Sequence, residues 1–570
     1  MKFEEKIRNW IENTPCENMR ATMLKWLEEE NEEAIVDAFF KDLEFGTAGL
    51  RGTIGPGSNR MNAVTVSRAT QGLANYLRKN FDNPSVAIAH DSRNKGERFT
   101  EITASVLAAN GIVAHVFPRL EATPALAYAT QHLNCNAGIC ITASHNPKEY
   151  NGYKVFNNLG CQITSKVAED ISSEINALDY FSGIEQIDFK EGQSRGLIKW
   201  IDDSCMKCFV KDAISGVPKL NRDKIKELKI VYSPLNGTGL EPALDAFKEL
   251  GIDNVDVVEE QRNPDGNFPT CPSPNPEEKE ALELGIKLAK QKGADVLIAT
   301  DPDADRTGIA VMHDGEMTLV SGNEVGLLLM DHLASKFDNN EIKNKVFCTT
   351  LVSSAMADSI AKERGFELRR VPTGFKYIGE QITLLESQNR RNDFVFGFEE
   401  SYGYLAGTHV RDKDSISTIT AICDCLADAR AEGKDIVDCL NSLYEKYGFH
   451  KNATLNFKFP GAEGAKKMES IMSELRKNPP NKIGDLSVVR ITDYSKPTNM
   501  AIINSKTEEE QLLPKINVLQ FELEDSAKLI IRPSGTEPKI KAYCFVKGNS
   551  SEVANEKLDE FSADVKKLFN

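Results

Sequence analysis

Apolar positions recur along this chain in two rhythms. Over the first 40 residues, Met23, Leu24, Leu27, Ala34, Ile35 and Ala38 fall at helical spacing and predict helices that share one buried face. Beyond them, short β-rich runs alternate with helical patterns. The runs lie at 86–90, 112–117 and 138–142, then at 230–233, 255–258 and 296–300, then at 346–352 and 394–398. This alternation predicts α/β layers rather than separate α and β blocks. The C-terminal part changes character. Candidate strands at 453–459, 488–493, 518–523, 527–531 and 540–546, with helical patterns at 465–477 and 552–569, predict an α+β domain with a mainly antiparallel sheet.

Composition changes this picture little. A chain of 570 residues has length for about four domains, and hydrophobic and charged fractions of 41% and 27% are those of a globular protein. A net charge of −16 with no basic stretch argues against a general nucleic-acid binder. No run approaches the ~18 apolar residues of a membrane span, and the acidic, amphipathic start MKFEEKIRNWIENTP lacks the apolar core of a secretory signal. The expectation is a cytoplasmic protein without a membrane partner. Twelve cysteines are scattered through the chain, many in apolar runs such as those of Cys140, Cys348 and Cys544, and are read as reduced buried thiols. Cys205 and Cys208 form one lone CxxC with no partner pair at zinc-ribbon spacing.

Chemistry concentrates in a few polar clusters that follow β-rich runs. In TASHNPKEYNGYKVF, residues 142–156, Ser144 stands beside His145 just past an apolar run. An isolated serine there is an ordinary capping hydroxyl; with an imidazole beside it, it is also a candidate nucleophile. DPDADR, residues 301–306, spaces Asp301, Asp303 and Asp305 past the end of another run, where ligands of α/β sheets gather. Three carboxylates so close repel one another unless a cation sits among them, and Mg²⁺ takes oxygen ligands, often including a phosphate oxygen. A solvated acidic turn is the plain alternative. An aspartyl-phosphate phosphatase also begins with a strand ending in DxD, but has Thr or Val four residues after its nucleophile, where this chain has Asp305. RPSGTEPK, residues 532–539, gathers a guanidinium, two hydroxyls and a glycine-freed backbone, a donor set that matches a phosphate dianion. In GFEESYGY, residues 397–404, Glu399 and Ser401 can bind adjacent sugar hydroxyls, or can simply form an acidic turn.

Together with FGTAGLRG at 45–52, these motifs resemble the alpha-D-phosphohexomutase superfamily, in its phosphoglucomutase and phosphopentomutase branch, over nearly the whole chain. The resemblance implies three α/β domains with mixed sheets (1–205 with the phosphoserine loop, 206–318 with the metal loop, 319–448 with the sugar loop). An α+β domain at 449–570 with the phosphate-binding loop follows, and the site lies in a central cleft. It implies a phosphosugar mutase that interconverts glucose 1-phosphate and glucose 6-phosphate through a phosphoserine and a sugar bisphosphate, with Mg²⁺ as cofactor and glucose 1,6-bisphosphate as activator. Ser144 carries the phosphoryl group and completes the metal set with Asp301, Asp303 and Asp305; Arg51, His145, Lys154, Arg306 and Lys413 are catalytic. Thr373, Gly374, Lys376, Glu399 and Ser401 face the sugar, while Arg532, Ser534, Gly535, Thr536 and Lys541 hold the phosphate not in transfer. Ser415 stands where many relatives have glycine, which leaves the local loop geometry open. Phosphopentomutase or phosphomannomutase activity, or a retired regulatory protein of the same fold, are the alternatives. The expected state is a monomer or weak dimer.

Overall fold

The computed structural model describes residues 3–47, 49–459, 461–506, 510–534 and 539–569. It divides into two compact units, Met1–Leu319 with Gly403–Asp424, and Val320–Tyr402 with Cys425–Asn570.

The first unit opens with three helices, Glu4–Asn13, Glu17–Glu28 and Glu32–Phe39. Ile7, Trp10, Met23, Ile35, Ala38 and Phe39 bury their shared face, and Asn31 starts the third helix by accepting from the Ala34 amide. Leu24 departs from the expected apolar face: it is 41% exposed, and Met19 and Met23 take the buried side of its helix. A mixed sheet follows in the order 50–53, 150–157, 137–141, 85–90, 113–116 and 198–200. Strands 85–90, 113–116, 137–141 and 198–200 run parallel, as βαβ crossovers require, and 150–157 turns back antiparallel to 137–141. The second sheet repeats the plan: 230–233 lies parallel to 255–257 and 296–300, and 307–313 returns antiparallel to 296–300. In both sheets, a buried parallel strand ends in one of the two loops singled out above.

In the second unit, strands 394–399, 346–350 and 367–371 pair in parallel, and the short strand 501–503 adds antiparallel to 367–371. The C-terminal sheet is antiparallel throughout, in the order 449–458, 539–548, 528–533, 519–523, 486–493 and 482–483. Its core packs Phe521, Leu529, Ile531 and Cys544 with Phe561 and Val565 of the last helix, Ser551–Lys567. The α/β series and the antiparallel α+β end are therefore as the apolar rhythm predicts. All twelve cysteines are free thiols, and nine of them are buried. Among the described residues, no helix is long and apolar enough to cross a membrane.

Glu121 supplies a test of the packing in the first unit. Its carboxylate is buried and accepts from Arg119 Nε at 3.0 Å, yet burial outweighs that partner and pushes its pKa from the ordinary 4.5 up to about 7. A carboxyl raised in the folded state binds its proton more tightly than in the unfolded chain, so this group costs stability as pH climbs from about 4.5 to about 7. Glu121→Gln should flatten that slope, gaining on the order of 2 kcal/mol relative to the parent between pH 5 and pH 8. Thermal melts across that range check it; parallel pH profiles for the two proteins would refute it.

Candidate active site

Two loops of the first unit meet around one serine. Ser144 lies just beyond strand Ala137–Ile141, buried, with φ at +53°, a conformation that costs a non-glycine residue energy. Its neighbours hold it there. Its amide donates to Thr142 Oγ1 at 2.8 Å, and that hydroxyl donates to Asp91 Oδ2 at 2.5 Å. From Arg93, a buried guanidinium donates to the carbonyls of Ser144 at 2.5 Å, Pro147 at 2.8 Å, Tyr150 at 3.1 Å and also Asn146, and lies 3.4 Å from Asp91. Burial first, eased by the Arg93 charge, leaves the Asp91 pKa at about 6.

The Ser144 hydroxyl donates to Asp301 Oδ2 at 2.7 Å and lies 3.2 Å from His145 Nδ1. Asp301 begins the acidic loop past strand Val296–Thr300, and its Oδ1 accepts the amides of Asp305 at 3.1 Å and Arg306 at 3.0 Å, which folds the loop back on itself. Asp303 Oδ2 accepts from Thr123 Oγ1 and from Lys154 Nζ, each at 2.7 Å. Asp305 Oδ2 faces Lys154 at 3.3 Å and Lys413 at 3.2 Å. All three aspartates are buried, and one oxygen of each lies within 4.8 Å of the others. Asp303 Oδ1 and Asp305 Oδ1 are buried with no hydrogen-bond partner among the described residues. Converging hard oxygens with two unmet acceptors fit a divalent cation that prefers oxygen ligands.

Electrostatics separates the members of this cluster. Burial raises Asp301 well above the carboxylate range, and the charges of Asp303 and Asp305 add to it. For Asp303 burial pushes the same way, but the Lys154 charge and hydrogen bonds from Lys154 and Thr123 outweigh it and hold the carboxyl below its ordinary value. Lys154 is correspondingly raised: desolvation opposes its charge, and Asp303 and Asp305 more than offset that. His145 is held well below its ordinary value by burial and by the charges of Arg306 and Arg51.

The remaining basic residues gather at the same place. Arg51, on strand Leu50–Thr53 opposite Gly152, points Nη1 to within 3.5 Å of Asn146 Oδ1. Arg306 Nε lies 3.9 Å from Asp305 Oδ1. Lys413 passes over Gly403, where a Cβ would come within 2.2 Å of its Cδ, so only glycine admits the lysine. Ser415 resolves the loop geometry that the sequence left open: its hydroxyl donates to the Arg306 carbonyl at 3.0 Å and ties this segment to the acidic loop.

The second unit carries the other predicted residues. Glu399 ends strand Phe394–Glu399 and accepts the Gly374 amide at 2.6 Å, joining the Thr373–Gly374 turn to the GFEESYGY loop. Gly374 has φ +120° and Tyr402, beside the partly exposed Ser401, has φ +63°. Lys376 lies 4.8 Å from the Tyr377 ring. Arg532 and Lys541 sit opposite each other on adjacent strands, and the Ser534 amide donates to the Lys539 carbonyl at 2.8 Å. Gly535 and Thr536 lie outside the described residues. The sequence reading missed Asp91, Arg93, Thr123 and Thr142. Asp91 and Arg93 did leave a signal, since HDSR follows the apolar run 86–90 as DPDADR follows its own. Thr123 left none.

A strand-end serine held against an aspartate triplet at the ends of parallel α/β strands gathers groups that could hold a divalent cation. Residues 42–181, 208–315 and 321–447 match the phosphoglucomutase/phosphomannomutase α/β/α domains I, II and III. The chain belongs to that family, within the alpha-D-phosphohexomutase superfamily. It is 38% identical over 531 residues to a phosphoglucomutase of Staphylococcus saprophyticus, covering 92% of this chain and 95% of that protein. With a phosphoglucomutase of Staphylococcus aureus it is 36% identical over 514 residues, covering 90% and 91%. Parafusin, a phosphoglucomutase from Paramecium solved in an open form, shares the fold with a TM-score of 0.67 at 19% identity, covering 92% of this chain and 95% of that one.

Arg93 is the clamp of the serine loop. Arg93→Leu strips Asp91 of its cation and frees four carbonyls; breaking such a buried pair costs about 3 to 5 kcal/mol. Amide exchange over 144–150 should therefore rise well above the change seen in the C-terminal sheet. Exchange in that loop no faster than in the parent would show that other contacts hold it.

Proposed function

We propose that this chain is a Mg²⁺-dependent phosphoglucomutase, which interconverts α-D-glucose 1-phosphate and glucose 6-phosphate through a phosphoserine at Ser144 and a sugar bisphosphate. The observation that carries this reading is the Ser144 hydroxyl 2.7 Å from Asp301, inside a triplet of buried carboxylates faced by Lys154 and Lys413. That the curated relatives above are phosphoglucomutases supports glucose as the sugar.

Asp301, Asp303 and Asp305, together with the phosphorylated Ser144, are the residues that would hold the metal. When bound, Mg²⁺ supplies positive charge that stabilises a phosphoryl group in transfer. Arg51, Arg306 and Lys154 orient that group and offset its charge. A free sugar hydroxyl bonds to phosphorus as the bond to Ser144 Oγ breaks; the sugar hydroxyl loses its proton and Ser144 Oγ recovers one. His145, with Nδ1 at 3.2 Å from that oxygen, and Lys413 are the two proton carriers. The bisphosphate then turns and returns its other phosphoryl group to Ser144. Glu399, Ser401, Thr373, Gly374 and Lys376 bind the sugar, and Arg532, Ser534, Gly535, Thr536 and Lys541 hold whichever phosphate is not reacting. Glucose 1,6-bisphosphate primes the serine. This reading carries a cytoplasmic location, no nucleic-acid or membrane partner, and a monomer or weak dimer.

Assay of a panel of sugar 1-phosphates with Mg²⁺ and catalytic glucose 1,6-bisphosphate tests the sugar. Glucose 1-phosphate should exceed ribose and mannose 1-phosphates by about tenfold or more in kcat/KM. A pentose phosphate in first place would replace the substrate, and phosphate mapped by peptide mass to any residue but Ser144 would replace the mechanism. Arg532→Lys separates binding from chemistry. An ammonium cannot reproduce the guanidinium fork, so kcat/KM should drop by about tenfold or more, while phosphoryl transfer to Ser144 from a donor without a second phosphate changes little. Equal damage to both reactions would place Arg532 at the reacting phosphate.

A further inference from the structure

The second unit contains a cavity of about 380 Å³, outside every residue given a role in the mutase reaction. Its charges do not balance. Arg370 is consumed by the protein: Nε donates to Asp358 at 2.7 Å, and its other nitrogens donate to the carbonyls of Thr350, Ser353 and Ser354. Arg490 faces Glu522 at 3.6 Å. Two lysines have no carboxylate nearer than 4.0 Å. Lys451 lies over the Tyr444 ring at 4.8 Å and no nearer than 4.0 Å to Glu324. Lys528, partly buried, meets the Phe545 ring at 4.6 Å and no carboxylate or hydrogen-bond acceptor among the described residues. His450, also on the wall, has a buried Nε2 without a hydrogen-bond partner.

We infer that this cavity binds a small phosphate-bearing anion, held by Lys528 and Lys451. Two ammonium groups without a close carboxylate match the charge of a phosphate dianion. The volume exceeds that of a bare phosphate and suits a phosphomonoester with a small organic body, for which the Phe545, Leu351 and Leu513 side chains offer apolar wall. Titration behaviour agrees with this geometry. Burial first, then the Arg370 charge, with Asp358 and Glu522 opposing, pushes Lys528 down to about 7. Burial and the charges of Lys547 and Lys528 push His450 down to about 4, so its ring is neutral. An anion against Lys528 stabilises its protonated form, so affinity for the dianion is greatest near pH 7; it falls at higher pH as Lys528 loses its proton and at lower pH as the phosphate gains one.

Equilibrium dialysis with labelled inorganic phosphate tests the inference independently of the mutase reading. The parent chain should show a class of phosphate site that weakens by about tenfold or more in Lys528→Gln, persists in Arg532→Met, and fades above pH 7. Methyl phosphate should displace it and succinate should not. Binding untouched by Lys528→Gln, or abolished by Arg532→Met, would overturn the site; equal displacement by succinate would overturn the phosphate assignment. Should Lys528→Gln fail to fold, ¹³C-dimethylation of the parent protein gives the same answer, because the Lys528 resonance must titrate at higher pH when phosphate is added. A titration indifferent to phosphate would reject the proposal.

Discussion

Three carboxylates buried within reach of one another set the constraint on which the first unit depends. Like charges about 4 Å apart repel by roughly 4 kcal/mol at an effective dielectric of about 20, and that repulsion from Asp303 and Asp305 adds to burial in keeping the proton on Asp301. Without cations at hand the acidic loop would not stay buried. Lys154 and Lys413 supply them, and each comes from far along the chain, one from strand Tyr150–Asn157 and one from the Gly403–Asp424 segment. The electrostatic requirement therefore has an architectural result. The 403–424 segment is flanked in sequence by residues of the second unit, yet it belongs to the first. Its side chains explain why. Lys413 faces Asp305, Ser415 bonds the Arg306 carbonyl, Asp412 accepts from Gln162, and Arg411 donates to Gln131. Charge compensation draws a stretch of chain across the domain order.

The same principle divides what was legible in the sequence from what was not. Strands 230–233 and 296–300 coincide with their apolar runs, because a strand buried on both faces must be apolar along its length, and the other predicted runs fall within a few residues of observed strands; strands 150–157 and 307–313, among others, were not predicted. Strand Glu367–Val371 escaped notice because it satisfies burial differently. It reads ELRRV, and every one of its residues is buried, since Arg369 pairs with Glu367 at 2.7 Å and Arg370 with Asp358 at 2.7 Å. Internal salt bridges hide such a strand from any hydrophobic pattern. Leu24 failed in the opposite direction: a short helix packed by two others buries a narrow face, and helical spacing alone does not say which edge of the stripe remains outside.

Within the candidate site, legibility followed the density of chemistry per residue. DPDADR and the Ser144-His145 pair concentrate unusual groups in a few positions, and the structure brings them to one point. Supporting residues were harder to see. Thr123 holds Asp303 through its hydroxyl at 2.7 Å and its amide at 2.9 Å, but a threonine at a helix start is ordinary in any sequence. Arg93 acts on carbonyl oxygens of the backbone, which every residue has, so nothing in the residues it clamps announces the contact. What orients a catalytic group is written in topology more than in composition.

Backbone strain ties these observations together. Three loops that follow strands and carry the candidate chemistry each hold a non-glycine residue at positive φ: Ser144 at +53°, Ala304 at +51° and Tyr402 at +63°. Each costs about 1 to 2 kcal/mol in that conformation, and glycine would remove the cost. At Ser144 glycine would also remove the hydroxyl that donates to Asp301, so the side chain has to stay and the backbone has to be forced. The forcing is visible as the Thr142 hydroxyl on the Ser144 amide and the Arg93 guanidinium on its carbonyl, both referred back to the buried Asp91. Strain persists where the surroundings over-determine it. A serine that needed only to cap a turn would not justify a buried ion pair beneath it, and this disproportion between a small residue and its support is what favours the proposed role of Ser144 over that of a capping hydroxyl.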